Sequence, residues 1–178
     1  MENRIDNRPG QVAVAVGIDR KIQQVVPRIA PNHPRNKLRF RFQEFLEQIT
    51  GGYRLDVICE EAKYGVVSIA QAFADREGIP YRNIEMPPEV RRVHGIRELS
   101  TLDVPGSETP REQKEAWNAL RESYMIDKLL RYVVVARMAM AICAVSHMPV
   151  LIQALRQKFK RVELYDVTAM EWFNRSLL

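Results

Sequence analysis

Cysteine is scarce in this chain. Only two cysteines, Cys59 and Cys143, occur among 178 residues, and each lies in an apolar run. A framework of disulfide bonds is therefore excluded as the basis of the fold, because such frameworks need several cysteine pairs. We expect both thiols to be small core residues of a protein kept in the reducing cytoplasm.

Long hydrophobic segments are also missing. A membrane-spanning helix needs roughly 18 or more consecutive apolar residues. The best candidate, 132–145, is shorter than this and is interrupted by Arg137. Residues 1–10 are polar, so they lack the apolar centre of a signal peptide. We expect no membrane segment, and we interpret 1–10 as a flexible leader before a single domain over 11–178.

Several familiar nucleotide and catalytic motifs are absent. The sequence contains no P-loop, no G-x-G-x-x-G after its first predicted strand, and no G-x-S-x-G nucleophile motif. Its histidines and cysteines do not have the spacing of a zinc site. Use of a nucleoside triphosphate or a nicotinamide is therefore unsupported, and the cofactor, if any, stays unknown.

No block of like charge occurs, although the chain is basic, with a net charge of +5 and a pI near 9.4. Such a charge attracts anions, and a small anionic substrate explains it at least as well as a nucleic acid does. Basic and aromatic residues do not interleave along any predicted strand as they do on RNA-binding sheets. Nucleic-acid binding through Arg91, Arg92 and Arg97 stays a third, less favoured interpretation.

The pattern that is present alternates short apolar runs with amphipathic segments. β-branched or apolar runs predict strands at 12–18, 55–59, 81–86, 141–147 and 162–167, while helical periodicity covers 37–50, 66–78, 110–137 and 149–159. Gly51-Gly52 predicts a left-handed helix end, and residues 168–171 have the form of a capping box that opens a C-terminal helix. Periodicity fails over 89–108. This order predicts an α/β fold with a mostly parallel sheet of about five strands and helices on both faces.

Polar residues stand at the ends of three predicted strands. The first strand runs into Asp19-Arg20, the second into Glu60-Glu61, and the stretch 141–147 ends in His147. In parallel α/β sheets, ligands bind beyond the carboxyl ends of the strands. We therefore predict that these groups share one edge of the sheet and form a site.

The predicted catalytic residues are Glu60, Glu61 and His147. Adjacent carboxylates disfavour joint ionisation, so one of them could act as an acid or base, or the pair could bind a divalent cation. An acidic first helical turn is the alternative explanation. A neutral His147 could accept a proton from water or bind a metal, although it or Ser146 could also simply cap the next helix.

Four further residues are predicted to bind substrate, namely Asp19, Arg20, His33 and Arg92. Arg20 lies on the predicted edge, where its guanidinium could hold a carboxylate or phosphate. His33 precedes Pro34 in a proline-rich loop, and Arg92 belongs to the run Arg91-Arg92-Val93-His94. Loop histidines and charge runs are also common as solvated surface, so these two assignments have a competing explanation.

The motif Ile58-Cys-Glu60-Glu61, followed later by Ile142-Cys-Ala-Val-Ser-His147, resembles two motifs of the superfamily that includes TraB, Tiki, ChaN and the erythromycin esterases. The resemblance implies an α/β fold with glutamates after an early strand and a histidine after a late one. Its members differ in activity, which includes metal-dependent peptide cleavage, ester hydrolysis and haem binding. The family pattern usually has a histidine after the first strand, where this chain has Asp19-Arg20.

These observations favour a small hydrolase-like protein with a Glu/His centre that acts on an anionic or carbonyl-bearing small molecule or peptide. The metal requirement stays open, and no residue is assigned as a metal ligand. The alternative is a non-catalytic binding or scaffold member of the same fold, which could form a homodimer.

Overall fold

The computed structural model describes residues 11–24, 33–96, 110–174 and 176. Its centre is a sheet of five parallel strands. In chain order the strands are β1 (Val12–Ile18), β2 (Val57–Glu60), β3 (Tyr81–Asn83), β4 (Met138–Ala144) and β5 (Arg161–Asp166). Their order across the sheet is β3-β2-β4-β1-β5. The parallel sheet expected from the sequence is confirmed.

Six α-helices accompany the strands within these described ranges: α1 (Arg20–Gln23), α2 (Pro34–Gly51), α3 (Ile69–Glu77), α4 (Pro88–Val93), α5 (Arg111–Tyr132) and α6 (Met148–Lys158). Short 3-10 turns at Val145–His147 and Val167–Ala169 follow β4 and β5. No helix in the described part of the chain is both long and apolar enough to cross a membrane.

Alternation along the strands divides the core into two layers. On β1, Val14, Val16 and Ile18 pack with buried residues of α2 and α3, whereas Ala13 and Ala15 pack with those of α5 and α6. Successive side chains of a strand point to opposite faces, and a strand buried on both faces is apolar throughout. Helices therefore cover both faces of the sheet, as the sequence predicts.

The strand order places the loops of the candidate site together. β4 lies between β1 and β2. The chain leaves β1 and β2 toward the α2/α3 face and leaves β4 toward the α5/α6 face. Where neighbouring parallel strands send their following loops to opposite faces, a crevice opens at their carboxyl ends. The ends of β1, β2 and β4 are the ones that carry Arg20, Glu61 and His147.

Several local predictions were wrong. The aperiodic stretch contains the short helix α4, because Pro88 presets the backbone angle of a first helical turn. Gly52 at the end of α2 has a right-handed φ of −95°, while Gly78 after α3 is left-handed at 67°. A 3-10 turn capped by Asp166, and not a helix capped by Thr168, follows β5. The predicted leader over 1–10 lies outside the described residues.

Substituting Gly17 tests the close packing beside the site. A Cβ added to Gly17 would stand 2.0 Å from Met148 Sδ, whereas one added to Gly51 meets nothing within 4 Å. We expect Gly17→Ala to lower the free energy of unfolding by about 1–3 kcal/mol, because Met148 must move out of a packed core. The control Gly51→Ala should be neutral or slightly stabilising. Urea unfolding of both variants measures the difference, and equal stabilities would contradict the predicted crowding.

Candidate functional site

The crevice brings together one side chain from the end of each of the three central strands. Arg20 Nη2 forms an ion pair with Glu61 Oε1, and His147 Nε2 lies 3.6 Å from the same oxygen. Glu61 is fully buried, whereas the Arg20 side chain keeps 35% of its surface exposed. The structure therefore places Arg20, Glu61 and His147 in one cluster, with Arg20 as the residue in contact with solvent.

The two adjacent glutamates point to opposite faces of the sheet. Glu60 lies on the same face as Ile58, which packs against the α2/α3 layer, and its carboxylate contacts Gln23, Ser68 and Tyr81. Glu61 turns toward the other face, where Arg121 of α5 contacts it. The alternation of a strand continues through both residues, so they do not form a carboxylate pair.

Glu60 is held by uncharged donors. Its carboxylate accepts hydrogen bonds from the Ser68 hydroxyl, from Tyr81 Oη at 2.7 Å and from Gln23 Nε2 at 3.3 Å. Burial raises the pKa of Glu60 to about 7, and the three hydrogen bonds only partly oppose this. Glu60 therefore connects α1, the start of α3 and β3. This role is structural, and it lies on the α2/α3 face of the sheet.

Both oxygens of Glu61 are occupied. Oε1 contacts Arg20, lies 3.3 Å from Arg121 Nη2, and faces His147. Oε2 accepts a hydrogen bond of 2.9 Å from the backbone N–H of Ala144, the last residue of β4. The lone pairs of this carboxylate are therefore committed to two guanidiniums and an amide. Glu61 is therefore suited to orienting its neighbours.

His147 is oriented by a residue of α5. Its Nδ1 lies 2.8 Å from Glu122 Oε1. A proton must lie between these atoms, so Nδ1–H donates to Glu122 and Nε2 is left as the basic nitrogen. Burial lowers the pKa of His147 below its ordinary value, and the Arg121 and Arg20 guanidiniums act in the same direction against Glu122. Above this lowered pKa the imidazole is neutral, and its Nε2 lies on the side of Glu61 and Arg20.

The sequence interpretation missed the second carboxylate of the cluster, Glu85. Its oxygens lie 2.6 Å from Arg121 Nη2, 2.9 Å from Arg91 Nη2 and 3.2 Å from Arg20 Nη2. Burial opposes ionisation of Glu85, but the three guanidiniums together lower its pKa. Glu85 follows β3 between the buried residues Ile84 and Met86. The sequence signal that could have identified Glu85 is a charged residue between two apolar ones.

Arg121 was missed as well, although periodicity marks it. The buried stripe of α5 consists of Trp117, Arg121, Met125 and Leu129, which recur every fourth residue. An arginine in such a stripe faces the core and requires a buried acid, since an unpaired charge there is strongly unfavourable. Glu61 and Glu85 are those acids.

The remaining predicted substrate-binding residues lie elsewhere or have other contacts. Asp19 caps α1 by accepting a hydrogen bond of 2.8 Å from Lys21 N. His33 is exposed at the start of α2, where its Nδ1 accepts a hydrogen bond from Arg35 N. Arg92 is exposed on α4, and its neighbour Arg91 is the one that contacts Glu85.

Within the described part of the chain, no group of three or more histidine, cysteine or acidic side chains could hold a metal ion. Guanidiniums surround the carboxylates of Glu61 and Glu85, and such positive surroundings repel a cation. Cys59 and Cys143 are free and buried, as expected. This arrangement favours binding of anions over binding of metal ions.

Glu60 makes stability depend on pH. A carboxyl with a pKa of 4.5 when unfolded and about 7 when folded favours the native state fully below pH 4.5 and loses that contribution as pH rises to about 7. We expect Glu60→Gln to stabilise the protein by about 1–3 kcal/mol above pH 7 and by much less near pH 5. Denaturant unfolding at both pH values measures this, with exposed Glu77→Gln as the control. An equal effect at both pH values would contradict the shifted pKa.

Removing Glu85 tests the buried ion cluster. Glu85→Gln leaves the buried guanidinium of Arg121 short of one anion, so we expect a loss of about 3–5 kcal/mol in the free energy of unfolding. The control Glu115→Gln, on exposed α5 surface where Glu115 pairs with Arg111, should change it by less than about 0.5 kcal/mol. Thermal and urea unfolding give both values. Similar losses in the two variants would show that the cluster does not stabilise the fold.

The chain was compared with known proteins in three ways. No protein-family model matches it, and neither a curated protein nor a solved structure matches it either. A functional assignment for this chain therefore has to be argued from the arrangement of its own side chains.

Proposed function

We propose that this protein is a small hydrolase-like enzyme in which His147 is the general base. The observation that carries the proposal is the 2.8 Å contact of His147 Nδ1 with Glu122, which leaves Nε2 free beside Arg20 and Glu61. A carboxylate that fixes the tautomer of a histidine base is a recurring element of hydrolytic sites. The lowered pKa keeps the imidazole neutral near pH 7.

The reaction follows from these positions. Nε2 of His147 accepts a proton from a water molecule as its oxygen attacks a carbonyl carbon. The resulting imidazolium then donates this proton to the leaving group when the scissile bond breaks, which restores the neutral base. The partly exposed guanidinium of Arg20 binds the anionic group of the substrate or the developing oxyanion.

Glu61 and Glu85 are positioning residues in this proposal. Together they contact Arg20 and Arg121, so they hold the guanidinium of Arg20 at the mouth of the crevice. Arg20, Arg91 and Arg121 face Glu61 and Glu85, and Glu122 adds a third negative charge beside the neutral His147, so the charges of these six groups cancel. The partly exposed guanidinium of Arg20, and not a net charge, is the group that favours an anionic substrate. Glu60 has no catalytic part, because its carboxylate lies on the other face of the sheet.

The glutamate after β2 and the histidine after β4 are also the residues through which the chain resembles the TraB, Tiki, ChaN and erythromycin-esterase superfamily. We place it there as a hydrolase-like member. The free, buried cysteines support a reducing compartment such as the cytoplasm.

One observation favours the alternative of a binding module without turnover, which could act as a homodimer. Every oxygen of Glu61 and Glu85 already has a partner within the protein, so the cluster is stable without a reacting group. In that case Arg20 binds an anion, and His147 with Glu122 only supports the fold. Loss of turnover without loss of stability in variants of His147 distinguishes the enzyme from this module.

Substituting His147 provides the direct test. Hydrolysis is measured on a panel of chromogenic carboxylic esters, phosphoesters and anilides, with folding checked by thermal unfolding. We expect His147→Ala to lower kcat/KM about 10²–10⁴-fold on the responsive substrate, because the general base is removed. The control Glu115→Gln, on the exposed face of α5, should retain full activity. Activity that survives in folded His147→Ala would disprove the assignment of the base.

The pH profile tests Glu122. Because Glu122 raises the pKa of His147 against the larger effect of burial, we expect Glu122→Gln to move the acid limb of kcat/KM to lower pH while also reducing its plateau. The wild-type limb should lie below the usual histidine pKa of about 6.5. A limb that is unchanged in Glu122→Gln would contradict its contact with His147 in the working enzyme.

A further inference from the structure

A second concentration of positive charge lies at the start of α2. Arg35 and Arg39 occupy positions one turn apart on this helix. Arg39 is only 9% exposed, and its Nη1 donates a hydrogen bond to Asn36 Oδ1 at 3.2 Å. The Nε atoms of both arginines are buried and have no hydrogen-bond partner in the described part of the chain. Among the described residues, no carboxylate forms a salt bridge with either guanidinium.

Without a counter-ion among the described residues, this arrangement is energetically unfavourable. Burial and the neighbouring Arg35 charge both lower the pKa of Arg39, and no described acid opposes them. Arg121 is buried to a similar extent, but it is paired with Glu61 and Glu85. A buried charge without a counter-ion destabilises a fold, and proteins keep such groups mainly where they bind something.

The position of the pair adds further attraction for an anion. The side chain of Arg39 reaches back to Asn36, which lies in the first turn of α2. The first turn of an 18-residue helix carries the positive end of its dipole.

The first turn of α2 also lies on the functional side of the sheet. Helix α2 connects β1 to the parallel strand β2, so it runs opposite to both strands and starts near their carboxyl ends. These are the ends that carry Arg20 and Glu61. A ligand at Arg35 and Arg39 would therefore approach the protein from the same edge as the proposed substrate.

We propose that Arg35 and Arg39 form a binding site for a phosphate group at the start of α2. Guanidiniums match the oxygens of a phosphate with paired hydrogen bonds, and two of them offset the charge of a dianion. The Nη–H groups of the two guanidiniums supply donors, and the helix dipole favours the bound anion. The site binds either free phosphate or the phosphate group of a larger molecule. It is independent of the hydrolytic activity proposed above.

Phosphate binding to the full chain tests the site. Inorganic phosphate is titrated against wild type and Arg39→Met by calorimetry and by thermal unfolding, with chloride at matched ionic strength to separate binding from screening. We expect saturable binding to wild type with a rise in Tm, and about tenfold or more weaker binding to Arg39→Met. The control Arg41→Met removes an exposed arginine that pairs with Glu44, and it should bind phosphate as wild type does.

The stability of the ligand-free protein provides a second test, because Arg39→Met should weaken phosphate binding without lowering this stability. In phosphate-free buffer, Arg39→Met should have a Tm equal to or above that of wild type, because an uncompensated buried charge is removed. Arg39→Lys keeps the charge and should retain part of the affinity, so the test does not depend on one variant. Absence of saturable phosphate binding to wild type, or equal weakening in Arg39→Met and Arg41→Met, would overturn the proposal. Binding of a phosphomonoester such as glycerol phosphate more tightly than phosphate would identify the larger source.

Discussion

The candidate site depends on the contacts that the carboxylate of Glu61 makes. It connects the start of α1, through Arg20, with the end of β4, through the N–H of Ala144, and with α5, through Arg121. These elements are distant in sequence and come from both helical layers. A buried carboxylate is tolerable only because all of its partners are present together. The geometry of the crevice therefore depends on the complete cluster.

In the same cluster, the charged residues and the proposed base have different roles. Its arginines and glutamates largely neutralise one another, and this leaves Arg20 partly exposed and His147 uncharged. Glu122, from the turn of α5 next to Arg121, gives the imidazole its orientation. One helix thus supplies both the cation that holds Glu61 and the anion that holds His147. Because these residues are adjacent in α5, a shift of that helix would move both contacts at once.

Much of the fold could be predicted from the sequence, and so could the edge of the sheet at which the candidate site lies, because both follow from local patterns. The apolar run 12–18 indicates a strand buried on both faces, and Arg20, Glu61 and His147 follow strands directly. The partners of Glu85 and Glu122 could not be predicted this way, since Glu85 contacts Arg121 across 36 positions and Glu122 contacts His147 across 25 positions of the chain. The sequence also does not show which member of the pair Arg91-Arg92 turns toward Glu85. A local pattern also does not show which face of the sheet each of two adjacent glutamates occupies, because this depends on the register of the strand.

Two buried arginines of this protein illustrate opposite uses of the same side chain. Arg121 lies in the stripe of α5 and is matched by two glutamates of the fold, so its charge is satisfied before any ligand arrives. Arg39 is paired with no carboxylate of the described residues and lies beside a second guanidinium at a helix start. A charge that the fold does not compensate must be compensated from outside or else lower stability. Both arginines are buried, but only Arg121 is paired with carboxylates among the described residues. This difference assigns a structural role to Arg121 and a binding role to Arg39.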